Sequence, residues 1–154
     1  MKQRKNSIWN SRIFRYVPLI LCIGLILFAS TPNASSSETS RFIRPLLEFL
    51  FPNTPETTLI IYHKAIRKLA HLTEYSVLAF LASRAFWHSS KEFLQKYWYL
   101  FALFLVFIVA SIDEINQSFD ISRTGSVYDV VLDCFGGWSM IWLFFIFYSR
   151  LKAA

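Results

Sequence analysis

The sequence predicts an all-α membrane protein, a bundle of four transmembrane helices with a short helix on the outer surface. Composition is the first ground: 55% of the 154 residues are apolar and only 17% are charged. The apolar residues also fall in long blocks instead of at an amphipathic period, and the lysines and arginines gather on one side of those blocks. A hydrocarbon layer about 30 Å thick needs roughly 20 mostly apolar residues at the helical rise. Four blocks have about that length, at residues 14–30, 66–87, 97–115 and 127–148. Backbone groups in lipid must be satisfied within the segment, and these runs are too long for barrel strands, so each is a helix.

The first block follows a basic stretch, residues 1–15, and precedes a polar one, residues 31–40. That order also describes a secretory signal peptide. Pro32 sits poorly in the one plausible cleavage site, before Ser35, and the expectation is an uncleaved anchor. Residues 31–40 are rich in Ser, Thr, Asn and Pro and read as a loop. Residues 41–51 read RFIRPLLEFLF. A helix there turns Phe42, Leu46, Leu47 and Leu50 toward lipid and Arg41, Arg44 and Glu48 toward water, with Pro45 tolerable near its start. A loop packed over the bundle is the alternative. The whole chain, 1–154, reads as one transmembrane domain without internal repeats. Cys22 and Cys134 fall in different spans at different depths, so they are expected to stay unpaired as small apolar fillers.

Orientation follows from charge. With the N-terminus inside, the cytoplasmic side holds ten of the sixteen basic residues and a single acidic one, Glu92. The other side receives six basic and nine acidic residues. The net charge of +6 therefore divides into +9 inside and −3 outside. This puts the protein in the plasma membrane with both termini cytoplasmic, and leaves no argument for nucleic acid.

The remaining polar residues gather at one depth. On the second block Arg67, His71 and Glu74 share a face, with Lys68 beside them. The third block ends through Asp113, Glu114 and Gln117. The fourth begins through Asp129 and Asp133, after the polar turn Ser122–Arg123–Thr124–Gly125–Ser126. Charge within a span is costly, on the order of 3 kcal/mol at mid-membrane, and usually lines a cavity or finds a partner. The expectation is a shared pocket in the outer third of the bilayer. Its candidate acid–base groups are His71, Glu74, Asp113, Glu114 and Asp133, and its candidate substrate-binding groups are Arg67, Lys68, Gln117, Arg123 and Asp129. Structural readings stand beside these: Ser126-x-x-Asp129 has capping-box spacing, Arg67 and Lys68 can snorkel to headgroups, and Gly136–Gly137 suits close helix contact. Arg67, Lys68 and Arg123 face five carboxylates, an excess of two negative charges. Protons on the carboxylates, a proton on His71, or a divalent cation would absorb it. Oxygen-rich ligation with a single histidine suits magnesium, calcium or manganese better than zinc.

These elements resemble the VanZ-like family of bacterial membrane proteins. The resemblance rests on a first span ending LFASTPNASSS, then RKLAHLTEYSVLAFL, then SIDEINQSFDISRTGSVYDVVLDCFGG. The pattern K-x-x-H-x-x-E-Y, D-E-x-x-Q and R-x-G-S-x-x-D-x-x-x-D is specific in combination. Asp120-Ile121 departs from the proline or glycine more usual at that turn. The family's namesake is associated with low-level teicoplanin resistance, so the resemblance implies a role at the bacterial envelope, and it brings no agreed reaction.

Two classes of function remain open. One is an enzyme that modifies a lipid-linked envelope precursor or headgroup at the outer leaflet, Arg67, Lys68 and Arg123 gripping phosphate. The other is a non-enzymatic scaffold or binding protein whose polar cluster is a structural salt-bridge network. No nucleophile beside a base, Gly-rich phosphate loop or H-E-x-x-H motif decides between them. A proton-coupled transporter is weaker, because the polar residues do not continue toward the cytoplasm.

Overall fold

A computed structural model describes residues 12–31, 36–119 and 125–153. Regular structure among them is helical: α1 (Arg12–Ala29), α2 (Ser36–Leu50), α3 (Glu56–Trp87), α4 (Glu92–Lys96), α5 (Trp98–Ser118) and α6 (Val127–Ala153). The longest, α3, has 32 residues and touches each of the other five. Tyr75, Leu78, Ala79, Ala82 and Ala85, spaced at three and four residues, form its buried face. That face meets Ala102, Val106, Val109 and Ala110 of α5 and Cys134, Ile141 and Phe144 of α6.

Small side chains set the approach of α3 to α6. A Cβ on Gly136 would lie 2.7 Å from the Leu72 carbonyl oxygen of α3, and one on Gly137 would lie 3.4 Å from the Tyr75 carbonyl oxygen of α3 and 2.6 Å from Val106 Cγ1 of α5. Without those side chains the two backbones come close enough for the Ser76 hydroxyl to reach the Gly136 carbonyl at 3.1 Å. Apolar burial alone separates helices in lipid poorly from lipid itself, so this close packing supplies much of the association.

Aromatic rings close one end of the bundle. Trp87, Trp98, Phe144 and Tyr148 stack there, with centroids 4.3 Å apart for Phe144 and Tyr148. Arg15 of α1 donates to the His88 carbonyl at the same end. At the opposite end Asn116 of α5 donates to the Ser30 hydroxyl just past α1, at 3.3 Å.

The outward faces are apolar. Ile20, Leu25 and Phe28 of α1, Phe104 and Phe107 of α5, and Phe135, Trp142 and Phe145 of α6 are all exposed. Three helices, Arg12–Ala29, Trp98–Ser118 and Val127–Tyr148, are long and apolar enough to cross a membrane. Among the described residues the protein is therefore an all-helical membrane protein with three such helices, where the sequence predicts four. The block at 66–87 is helical, but His71, Glu74 and Arg84 dilute its apolar character.

Other boundaries move as well. Helix α3 begins at Glu56, ten residues before the predicted span, and α2 begins at Ser36, inside the stretch expected as a loop. A Ser-Ser-Glu-Thr-Ser run suits the first turn of a helix as well as a loop. Leu47, expected to face lipid, is buried, while Leu46, Phe49 and Leu50 are exposed. The short α4 carries no long-range pattern that could have announced it. Cys22 and Cys134 are both free thiols.

Candidate functional site

A row of residues at successive i, i+4 positions runs down α3: His63, Arg67, His71 and Tyr75. It begins in a cleft of about 280 Å³ between α2 and α3, lined by Arg44, Glu56, His63, Lys64 and Arg67. Arg44 braces this cleft, its guanidinium contacting Glu48 at 2.9 Å and Glu56 at 2.9 Å. Those carboxylates hold the guanidinium pKa above its ordinary value. Burial, and then the Arg67 charge, push the His63 imidazole below its ordinary pKa, so the cleft's charge at neutral pH comes from Lys64 and Arg67.

Two turns below His63 the row meets α5 and α6. His71 Nδ1 lies 3.4 Å from Asp133 Oδ1 and 3.9 Å from Asp113 Oδ2. The Tyr75 hydroxyl donates to Asp113 Oδ2 at 3.0 Å. Glu114, on the next residue of α5, completes a group in which one ligand atom from each of His71, Asp113, Glu114 and Asp133 lies within 4.8 Å of the others. Asp113, Glu114 and Asp133 are buried, and Asp133 has no exposed surface. His71 is the partly open member: its side chain is 21% exposed although Nδ1 is turned inward. An approaching molecule meets the imidazole before it meets a carboxylate.

The start of α6 explains how Glu114 comes to be there. Ser126 caps the helix by accepting the Tyr128 N–H at 3.2 Å. A capping box would have Asp129 accept the Ser126 N–H in return. Instead Glu114 accepts it at 2.9 Å, and Asp129 pairs with Lys68 at 3.5 Å across to α3. The box is thus replaced by a cap supplied from another helix. Gly125 permits this by close approach, since a Cβ there would lie 2.4 Å from the Glu114 carbonyl oxygen.

Not every predicted site residue joins the cluster. Glu74 is exposed on the side of α3 facing α1, where it lines an open groove of about 830 Å³ with Leu25, Phe28, Leu69 and Val77. The shared pocket predicted for it and the carboxylates of α5 and α6 does not include it, because packing turns the Tyr75 side of α3 inward. Gln117 is buried one turn beyond Asp113. Arg67 belongs to the α2–α3 cleft above the cluster, and Lys68 to the exposed pair with Asp129. Arg123 lies outside the described residues. Tyr75 is not among the predicted site residues, though its place beside Glu74 in the E-Y pair and four residues after His71 is the available signal.

Chemically, an imidazole backed by buried carboxylates can exchange a proton or hold a cation. The basic cleft above it suits an anionic group. No curated protein and no solved structure matches the chain significantly. The VanZ/LLP1 family does match, over residues 15–148, which takes in α3, α5, the turn before α6 and every residue of the cluster; the chain is a member of the VanZ/LLP1 family.

Proposed function

We propose that the chain is a multi-pass protein of the bacterial plasma membrane that recognises and modifies a lipid-linked envelope precursor or headgroup at the outer leaflet. In this reading residues 66–87 of α3 are a fourth span, completing a four-helix bundle with both termini cytoplasmic, while the first turns of α3 and the whole of α2 lie at the outer surface. The basic excess of the N-terminal stretch, the α3–α5 connection and the C-terminal end supports that orientation. The observation that carries the proposal is the row His63–Arg67–His71: a basic cleft sits one turn above an imidazole backed by three buried carboxylates. Lys64 and Arg67 take the phosphate of the substrate, and the cluster of His71 with Asp113, Glu114 and Asp133 acts at the adjoining group. The substrate's chain lies against the apolar outer faces, and the groove beside Glu74 suits it.

The test is lipid-resolved native mass spectrometry of the purified protein, beside susceptibility to envelope antibiotics, teicoplanin first. Wild type should retain a phosphate-bearing lipid that Arg67→Ala loses, while His71→Ala retains it and loses the resistance phenotype. Identical lipid retention in wild type and Arg67→Ala would remove the cleft from the site.

A second reading is favoured by the hydrogen bonds themselves. Tyr75 ties Asp113 and the Ser126 N–H ties Glu114, which is what a structural polar network requires. Under it, His71→Ala would lower stability in step with function. Loss of the phenotype at unchanged melting temperature separates the two.

A further inference from the structure

We propose that His71, Asp113, Glu114 and Asp133 form a binding site for a divalent cation of the magnesium, manganese or calcium class. The site follows from donor geometry and holds whatever the substrate is. Three helices contribute: His71 from α3, Asp113 and Glu114 from α5, Asp133 from α6.

Distance is the first argument. The His71 Nδ1 contacts, 3.4 Å to Asp133 and 3.9 Å to Asp113, are longer than normal hydrogen bonds. They suit two donors that share an ion. With metal–oxygen bonds of about 2.1–2.4 Å, neighbouring ligands lie roughly 3.0–3.4 Å apart and opposite ones roughly 4.2–4.8 Å. The four donor atoms lie within 4.8 Å of one another, inside that envelope.

The second argument is independent of spacing. Asp133 is 0% exposed, and neither of its carboxylate oxygens has a hydrogen-bond partner among the described residues. His71 Nδ1, aimed at the same point, is buried and likewise without one. Buried polar groups left this way are costly, and more so when charged. A cation between them satisfies all three atoms at once.

The surroundings orient the ligands. Asp113 accepts from Tyr75 through the oxygen nearer the imidazole, and Glu114 accepts from the Ser126 N–H. Both carboxylates are thereby fixed in direction, as the outer partners of metal ligands usually are. The exposed Lys68 is drawn off to Asp129 and does not supply the cluster with positive charge. Three carboxylates and one imidazole favour hard cations over zinc.

Manganese is the probe, because its free form is read directly by electron paramagnetic resonance. Full-length protein in lipid nanodiscs, stripped with chelator, is titrated with Mn²⁺. One ion per chain should leave the free signal, and Mg²⁺ or Ca²⁺ should release it. Asp133→Asn and His71→Gln should each weaken binding about tenfold or more, while Glu92→Gln on the exposed α4 binds as wild type. Should Asp133→Asn fail to fold by circular dichroism, His71→Gln carries the comparison. Wild type that binds no Mn²⁺ up to about 1 mM, the weak limit for such sites, overturns the proposal. So does Asp133→Asn or a folded His71→Gln that binds with wild-type affinity. Displacement by Zn²⁺ but not by Mg²⁺ or Ca²⁺ would overturn the assignment to hard cations.

Discussion

The Tyr75 hydroxyl donates to Asp113 Oδ2 at 3.0 Å, joining α3 to α5 at a point where the tyrosine has no exposed surface and the aspartate almost none. The bond fixes the direction of Asp113 and hence the side from which His71 meets it. The phenol is too deep for water to replace it. Tyr75→Phe keeps the ring's packing and removes this donor alone, so it should destabilise the protein by about 1–3 kcal/mol. Thermal unfolding in detergent checks this, and a melting temperature equal to wild type would show that the hydroxyl does not hold the carboxylate.

The two glycines of α6 should respond differently to the same substitution. Gly136→Ala drives a methyl against the backbone of Leu72, with contacts of 2.7 Å to its oxygen and 3.2 Å to its Cα. Backbone cannot yield without moving α3. Gly137→Ala meets the Val106 side chain at 2.6 Å and the Tyr75 carbonyl only at 3.4 Å. A valine can partly adjust. Gly136→Ala should cost about 1–3 kcal/mol and Gly137→Ala less, measured by thermal unfolding of both variants. The reverse order would mean that α3 and α6 are not held at this separation.

Acid should weaken the α2–α3 cleft through His63. Its imidazole pKa lies below the unfolded value of about 6.5, because burial and the Arg67 charge oppose its protonation. The unfolded chain therefore takes up the proton first as pH falls. The stability that neutral His63 contributes is complete above the unfolded value and is lost as pH drops through the lowered folded one. Arg44, Lys64 and Glu56 line the same cleft, Arg44 being held by Glu48 and Glu56. His63→Gln should flatten the acid side of a melting temperature against pH curve. An unchanged slope would show that another group governs it.

Topology can be read by cysteine labelling in intact cells. Asn53 precedes α3 and Ser90 follows it, and both are exposed, whereas Ser89 is buried against Tyr16. With Cys22 and Cys134 replaced by serine, Asn53→Cys should react with an impermeant reagent and Ser90→Cys should react only after lysis. Labelling of Ser90→Cys from outside would reverse the proposed orientation and take the cluster to the cytoplasmic face.

Length of apolar run, charge bias and helical class are one-dimensional properties, and the sequence by itself settled them for the spans that became α1, α5 and α6. It also brought His71, Asp113, Glu114 and Asp133 together on paper, because each lies near the same end of its block. It placed Glu74 with them and assigned no role to Tyr75. Residues three and four after His71 are both neighbours of it on a helix surface. Which of them faces α5 and α6 depends on how α3 is rotated, and the contacts at Leu72, Gly136 and Gly137 set that rotation. The result buries Tyr75 on Asp113 and leaves Glu74 in the groove beside α1. The cap of α6 was decided in the same way. Ser126-x-x-Asp129 reads locally as a box, but the fold brings Glu114 to the Ser126 N–H first and frees Asp129 for Lys68. A pattern along the chain specifies which partners are available within a turn or two; only the packing of one helix on another decides which partner is met.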